Sequence, residues 1–272
     1  MRLSITHETT YSYETPASYA IQTLRLTPRN SAQQFVQEWR IDVSQDCRLS
    51  PVEDPFGNLT HSFSIDGPIE ELVITATGEV LTEYSEGIVR GTKERFPLSL
   101  FLRDTELTRP DPDIREFARS ISCGEGGDPL ATLHALMRRI HAEWTYDKEA
   151  TDPSTSAAKV FEQRHGVCQD FAHLFIAAAR ALDIPARYVG GYVFDPGTTE
   201  THEAGHAWVE GFVAGIGWIG FDPTHEVCPT DRHVRIASGL DYLDAAPIRG
   251  TRYGGTGESM KVKVAITRLD RP

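Results

Sequence analysis

The sequence predicts an α+β protein in which an N-terminal antiparallel β-sandwich precedes a mixed α+β core. Apolar and polar residues alternate through about the first 85 positions, which is the period of strands that bury one face. Helical periods begin only after residue 110, and strand patterns return later in the chain. We therefore assign residues 1–95 to the sandwich and residues 110–272 to the core.

Several short strand patterns separated by turns support the sandwich. Alternation is clear in 3–13, 35–43 and 63–65, and the segment LVITATGEVLT continues it. Turn-forming residues lie between these runs, as in the sequence DPFGN at 54–58. Residues 86–110 lose the periodicity, and we interpret them as the linker.

The predicted core begins with helices and ends with strands. Asp111 and Pro112 provide an N-cap and a first-turn proline for one helix, and Asp128 and Pro129 do so for the next. Apolar residues then recur every three or four positions, which is typical of one buried helix face. Further along, RYVGGYVF, HAWVEGFV and WIGFDP are strand patterns separated by loops.

The net charge and the hydropathy of the sequence bear on which partners the protein can bind and where it is located. The net charge of −12 argues against a nucleic-acid or anionic-membrane partner, because both require a basic face. The first residues lack the apolar core of a signal peptide, and no apolar run is long enough to span a bilayer. We expect a cytoplasmic protein.

The four cysteines are Cys47, Cys123, Cys168 and Cys228, and they are scattered without a CxxC pair. This spacing argues against a zinc ribbon and gives no disulfide framework. A buried, inert thiol is the common fate of such cysteines, and we adopt that interpretation for all but Cys168.

Cys168 lies at the start of a predicted helix. It follows Gly166 and precedes apolar residues at helical spacing, among them Phe171 and Phe175. The first amide N–H groups of a helix lack intrahelical partners, and the helix dipole is positive there. Both features favour a thiolate, which is the form that attacks carbonyl carbon. Cys168 is therefore the candidate nucleophile.

A predicted hairpin supplies the partners of such a nucleophile. A reactive cysteine needs an imidazole base and a polar group that holds the imidazole. His206 begins the strand HAWVEGFV, Asp222 ends the strand WIGFD, and the short turn AGIG joins them. Antiparallel pairing would bring His206 and Asp222 into side-chain contact.

These motifs resemble the core of the transglutaminase-like superfamily. GVCQDFAH, HAWVEGF and GWIGFDPTH occur in the family's order and spacing. The N-terminal strands resemble the β-domain that precedes this core in bacterial members, and residues 241–255 resemble the segment that closes it. The resemblance implies a papain-like α+β core with Cys168 as nucleophile, His206 as base and Asp222 as the residue that orients the imidazole.

The resemblance further implies acyl transfer on amide or peptide bonds through a thioester, without a cofactor. We expect hydrolysis of a peptide or protein amide, as in a cysteine protease or amidase; amine transfer, as in a cross-linking transglutaminase, is the alternative. No acidic loop resembles an EF-hand, so no calcium site is expected. The backbone N–H of Cys168 is one donor to the oxyanion. The sequence leaves the second donor open among four side chains: Gln163, Trp144, Tyr146 and Gln169.

A competing motif overlaps the predicted base. His202, Glu203 and His206 match HExxH, in which two histidines on one helix face bind zinc. The segment contains Gly205 and runs directly into a strand pattern, so the helix that the motif needs is not predicted. We therefore expect no metal at this site.

Three other histidines lie near the predicted site in the sequence, and a second class of function is an alternative to catalysis. His165 and His225 are interpreted as rim or surface residues, and His173 lies five positions beyond Cys168, on a different helix face. A non-catalytic binding module on the same fold is the second class of function. Loss of a predicted catalytic residue would favour it, and none is lost.

Overall fold

The computed structural model describes residues 1–124, 126–148, 152–197 and 204–269. The strands are β1 (Arg2–Thr27), β2 (Gln34–Val43), β3 (Ser50–Glu53), β4 (Leu59–Thr82), β5 (Thr145–Tyr146), β6 (His165–Gly166), β7 (Ala186–Val193), β8 (His206–Val213), β9 (Gly217–Phe221), β10 (His233–Gly239), β11 (Ile248–Thr256) and β12 (Ser259–Arg268). The helices are α1 (Pro112–Gly124), α2 (Pro129–Glu143), α3 (Ala157–Gln163), α4 (Cys168–Arg180) and α5 (Tyr242–Ala245), and a 3-10 helix spans Leu98–Leu102. The predicted α+β class is confirmed.

The N-terminal module is one antiparallel sheet that folds over its own core. Strand β1 pairs with β4 along most of its length, and its two halves pair on the other side with β12 and β11 in turn. Both halves contribute to one apolar cluster, with Tyr11 and Ile74 from one half and Leu24 and Phe63 from the other. In place of two packed sheets, the structure has a single antiparallel sheet whose long strands contribute both halves of the apolar cluster.

The C-terminal strands return to the N-terminal sheet. Residues 110–272 were predicted as one core that includes the closing segment, but β11 and β12 both pair with β1. Their alternating pattern, as in MKVKVAITR at 260–268, is a strand signal. Local pattern indicates a strand without indicating its partner, and β1 offers an edge that these strands cover.

The core module is a four-stranded antiparallel sheet in the order β10-β7-β8-β9, packed against helix α4. Nearly every residue of α4 after its first turn is buried, because α1, α2 and α3 also pack around it. Arg180, in the last turn of α4, donates to the carbonyl oxygens of Phe101, Ala186 and Leu240. These bonds tie the helix to the linker and to the sheet.

Two amide side chains join the modules along the edge strand β10. Asn58 donates to the carbonyl of Ser238 and accepts from its N–H, each at 2.8 Å. Gln34 forms the same two-way contact with Arg235, at 2.8 and 2.9 Å. The side chains therefore satisfy backbone groups on the free edge of the core sheet, as a neighbouring strand would.

A buried ion-pair network crosses the core sheet. Glu210 accepts from Arg187 at 2.6 Å and from Arg235 at 2.8 Å, and Arg187 also pairs with Glu94 of the linker. Burial alone would raise the pKa of Glu210, but Arg235 and Arg187 lower it to about 2. Glu210 is therefore held ionised in the interior. Within the described residues, no helix is long and apolar enough to cross a membrane.

Replacing Glu210 by Gln should destabilise the fold, since the buried guanidinium of Arg187 and the half-buried one of Arg235 then lose their shared counter-charge. We expect a loss of about 3 kcal/mol in the free energy of unfolding, measured by urea denaturation. The control is Glu258→Gln, which removes an exposed partner of Arg252 and should cost less than about 1 kcal/mol. Equal losses in the two variants would contradict the interpretation.

Candidate active site

Cys168 is the first residue of helix α4, as predicted. The preceding turn is fixed by Asp170, whose carboxylate accepts the N–H of Val167 at 2.8 Å. Gly166 is required there, because a Cβ at this position would lie 2.8 Å from an Asp170 oxygen. The local sequence GVCQD therefore builds a tight entry that leaves Cys168 at the helix N-terminus, half-buried and with a free thiol.

The predicted hairpin places His206 against Asp222. Strands β8 and β9 pair antiparallel with Val209 opposite Phe221, so the start of β8 lies beside the end of β9. The Nε2 atom of His206 is 2.7 Å from an oxygen of Asp222. Cys168 adjoins His206 and contributes to the raised pKa of the imidazole, and because Nε2 is occupied by Asp222, Nδ1 is the nitrogen left for the sulfur. The structure thus brings the three predicted residues together in one chain of contacts.

The charge environment favours a protonated imidazole at His206. Burial alone would lower its pKa, but the charge of Asp222, the hydrogen bond with Asp222 and the contact with Cys168 raise the pKa to about 10. Burial would likewise raise the pKa of the Asp222 carboxyl, whereas His206 and the histidine hydrogen bonds hold it well below its ordinary value. The buried pair is therefore an imidazolium and a carboxylate.

Asp222 is fully buried and accepts more hydrogen bonds than the sequence suggested. One carboxylate oxygen contacts Nε2 of His206, Nδ1 of His225 and Nε2 of His233, at 2.7, 2.7 and 3.2 Å. The other oxygen accepts the backbone N–H groups of Thr224 and His225. His225 has an exposed side chain, as predicted for a rim residue, yet it contacts the site directly.

His233 lies eleven positions beyond Asp222 and outside every motif that predicts the site, so its role is not evident from the sequence. Its Nδ1 accepts the N–H of Thr230 at 3.1 Å, so its proton lies on Nε2, which faces Asp222. Burial lowers the pKa of His233, against the opposing effect of Asp222. His233 is thus a neutral donor that holds the carboxylate.

Three of the four candidate oxyanion donors each have one side-chain N–H engaged elsewhere, which leaves no donor on Trp144 and a second amide N–H on Gln163 and Gln169. Trp144 donates to Val160, Gln163 donates to His165 and Gln169 donates to Pro153, in each case to a backbone carbonyl. Tyr146 is the fourth candidate. Its backbone pairs with Gly166, two residues before Cys168, and its side chain is about half exposed.

Burial and the charges of Cys168 and Asp170 together give the Tyr146 phenol a raised pKa. Burial raises the pKa of Tyr146 most, and the charges of Cys168 and Asp170 raise it further, to about 12. The hydroxyl therefore keeps its proton at neutral pH and remains a hydrogen-bond donor.

Two further candidate histidines, His165 and His173, flank Cys168 in the sequence. His173 is fully buried and accepts the N–H of Tyr242 at 3.1 Å, and burial lowers its pKa to about 3. His165 is the residue before Gly166 in strand β6. His202 and Glu203 of the HExxH motif lie outside the described residues, whereas His206 begins a strand.

Comparison with known proteins gives matches along most of the chain. Residues 115–223 match the model of the transglutaminase-like superfamily, and residues 3–81 match the bacterial transglutaminase-like N-terminal region. An uncharacterised protein of Mycobacterium leprae is 31% identical over 278 residues, covering 98% of this chain and 99% of its own. A protein-glutamine gamma-glutamyltransferase of Pseudomonas aeruginosa is 33% identical over 148 residues, which are 47% of this chain and 21% of that protein.

The fold is also shared with a solved structure. The crystal structure of a candidate cysteine protease from Cytophaga hutchinsonii superposes with a TM-score of 0.76 at 24% identity, covering 100% of this chain and 92% of that one. At this level of identity the likeness concerns the fold. Cys168, His206 and Asp222 all fall within the matched segment 115–223.

The raised pKa of His206 predicts a pH-dependent contribution to stability. Because the folded-state pKa of about 10 exceeds the ordinary value of 6.5, this contribution is complete below pH 6.5 and is lost as the pH rises through 10. The difference in free energy of unfolding between the wild type and His206→Asn should therefore shrink from pH 6.5 to pH 10. Urea denaturation at several pH values measures it.

His61, in the N-terminal sheet, is the control for this experiment. Burial lowers its pKa, so both folded and unfolded states are neutral at His61 above pH 7. The His61→Asn difference should stay flat from pH 7 to pH 10. A flat His206→Asn difference over the same range would contradict the imidazolium assignment.

Proposed function

The chain belongs to the transglutaminase-like superfamily, and we propose that it is a thiol-dependent enzyme that hydrolyses amide or peptide bonds through Cys168, His206 and Asp222. The observation that carries the proposal is the continuous contact from a thiol at a helix N-terminus through a buried imidazole to a buried carboxylate. Such a set can activate a nucleophile and protonate a leaving group.

The proposed reaction begins with attack of the Cys168 sulfur on the carbonyl carbon of a peptide or protein amide. The imidazolium of His206 then gives its Nδ1 proton to the leaving amine as the carbon–nitrogen bond breaks, and a thioester remains on Cys168. Asp222 stays ionised throughout and holds the imidazole through Nε2.

Two donors are proposed for the oxyanion of the tetrahedral intermediate. The backbone N–H of Cys168 lies in the first turn of α4, where no intrahelical carbonyl is available. The Tyr146 hydroxyl is proposed as the second donor, because the charge of Cys168 contributes, after burial, to the raised pKa of this phenol and the two groups are therefore near each other. The single side-chain N–H of Trp144 is engaged with the carbonyl of Val160. The parallel pairing of Tyr146 with Gly166 places the Tyr146 backbone beside the entry to α4.

Water is proposed as the acceptor that resolves the thioester. Cys168 is half-buried, and His225, which adjoins the predicted base, has 46% of its side chain exposed. Solvent can therefore reach the site without a large rearrangement. His206, neutral after the first step, would take a proton from this water as its oxygen attacks the thioester carbon. The carbon–sulfur bond would then break, which releases the carboxylic acid product and returns the sulfur of Cys168 as a thiolate beside the imidazolium.

Amine transfer is the second candidate function. It is favoured by the 33% identity to the protein-glutamine gamma-glutamyltransferase over 148 residues, which are 47% of this chain and 21% of that enzyme. In this reaction a primary amine, in place of water, would attack the thioester. Adding a primary amine to the assay and measuring both products separates the two directions.

Substitutions at the three proposed catalytic residues test the mechanism. Cys168→Ala and His206→Ala should reduce amidase turnover to background, whereas Asp222→Ala should reduce it less, since Asp222 orients and does not react. Thermal unfolding checks that each variant is folded. Incubation with a library of acyl donors should leave a thioester on Cys168 that mass spectrometry detects. Full activity in Cys168→Ala would contradict the mechanism and would favour the non-catalytic binding module.

The Tyr146 assignment predicts a separate kinetic effect. Tyr146→Phe should lower kcat about 100-fold with little change in KM, since the lost hydrogen bond forms mainly in the transition state. The matched control is Tyr253→Phe, which removes an exposed hydroxyl from strand β11. Equal kcat values for the two variants would exclude Tyr146 as the second donor.

A further inference from the structure

We propose that His206, Asp222 and His225 form a binding site for zinc, and that zinc bound there blocks the proposed catalysis. Within the part of the chain that the structure describes, these residues offer metal-ligand atoms that all lie within 4.8 Å of one another. This set differs from the HExxH motif, because it uses neither His202 nor Glu203. The inhibition rests on the proposed function, whereas the binding does not.

The two imidazole nitrogens and one carboxylate oxygen suit a cation of intermediate hardness, such as zinc. Two imidazole nitrogens and one carboxylate oxygen form the ligand set of many open zinc sites, with a fourth position left for water. Oxygen-seeking cations such as calcium prefer six or more oxygen ligands, which this cluster does not supply within the described residues. Among common divalent ions the chemistry therefore favours zinc or copper over calcium and magnesium.

The geometry is close to that of a zinc site. Nε2 of His206 and Nδ1 of His225 already converge on one oxygen of Asp222 at 2.7 Å each, and the two rings are 4.8 Å apart between centroids. A zinc ion bonded at about 2.0–2.2 Å to each ligand would widen each nitrogen–oxygen separation beyond the present hydrogen-bond distance and bring the two nitrogens toward each other. His225 can supply this movement, because its side chain is exposed and lies on the rim.

The surroundings also resemble the support that metal ligands receive. His233 donates to the same carboxylate from a buried position, and its tautomer is fixed by the N–H of Thr230. Backbone N–H groups hold the second oxygen of Asp222. Outer hydrogen bonds of this kind orient ligands and raise metal affinity.

The position of the ion explains why it would inhibit. It would replace the proton on Nε2 of His206, on the side of the ring away from the nitrogen left for Cys168. Zinc would thus take the place of the hydrogen bond between His206 and Asp222, and the imidazole could no longer gain and lose the catalytic proton in the geometry that Asp222 sets. The thiol would not need to be a ligand.

Isothermal titration of untagged, chelator-treated protein with zinc chloride tests the binding directly. We expect one zinc ion per chain, an affinity weakened about tenfold or more in His225→Asn, and affinities within about threefold of wild type in Cys168→Ala and in the distant control His61→Asn. Asparagine at 225 can still donate a hydrogen bond to Asp222 but is a poor zinc ligand. Unchanged affinity in His225→Asn, or loss of binding in Cys168→Ala, would overturn the site.

The same variants test inhibition separately. Zinc should inhibit amidase turnover of the wild type at the concentration at which it binds, and His225→Asn should require about tenfold more zinc, each rate being compared with that variant's own zinc-free rate. Binding without inhibition would overturn the blocking role. An absence of any turnover by zinc-free wild type would count against the proposed function, while the titration would still decide the metal site.

Discussion

The buried carboxylate of Asp222 is the group around which the candidate site is organised. A charge in the interior is unfavourable unless donors surround it, and this one accepts from three imidazoles and two backbone N–H groups. These donors come from strand β8, the loop after β9 and strand β10. Folding must therefore bring three separate segments to one oxygen pair, and the position of the imidazole next to Cys168 follows from that arrangement.

The nucleophile is positioned by a different element, and both ends of that element are fixed. At its start, Asp170 and Gly166 shape the turn that leaves Cys168 at the first helical position. At its end, Arg180 donates to carbonyl oxygens of the linker and the sheet. Because α4 is also buried along its length against β8, the contact between Cys168 and His206 joins two rigid elements.

The sequence was sufficient for the elements whose signal is local. The helix start at Cys168 and the hairpin that joins His206 to Asp222 both follow from period, turn and spacing, and the structure has them. What it could not provide was long-range pairing. Strands β11 and β12 have clear alternation, but nothing in their own residues indicates that they pair with β1, more than 220 positions earlier. His233 was missed for the same reason, since its contact with Asp222 depends on where β10 lies.

The position of β10 in turn connects the N-terminal sheet to the site. Strand β10 begins at His233, and its outer edge is satisfied by the amides of Gln34 and Asn58 from the N-terminal module. The pairing of β10 with β7 shifts register between Arg235 and Ala237, and Gln34 contacts the backbone of Arg235 at that point. An edge strand with an irregular register is held weakly by its own sheet alone. The N-terminal module therefore supplies hydrogen bonds that fix the strand carrying His233, and through His233 it helps to hold the Asp222 carboxylate.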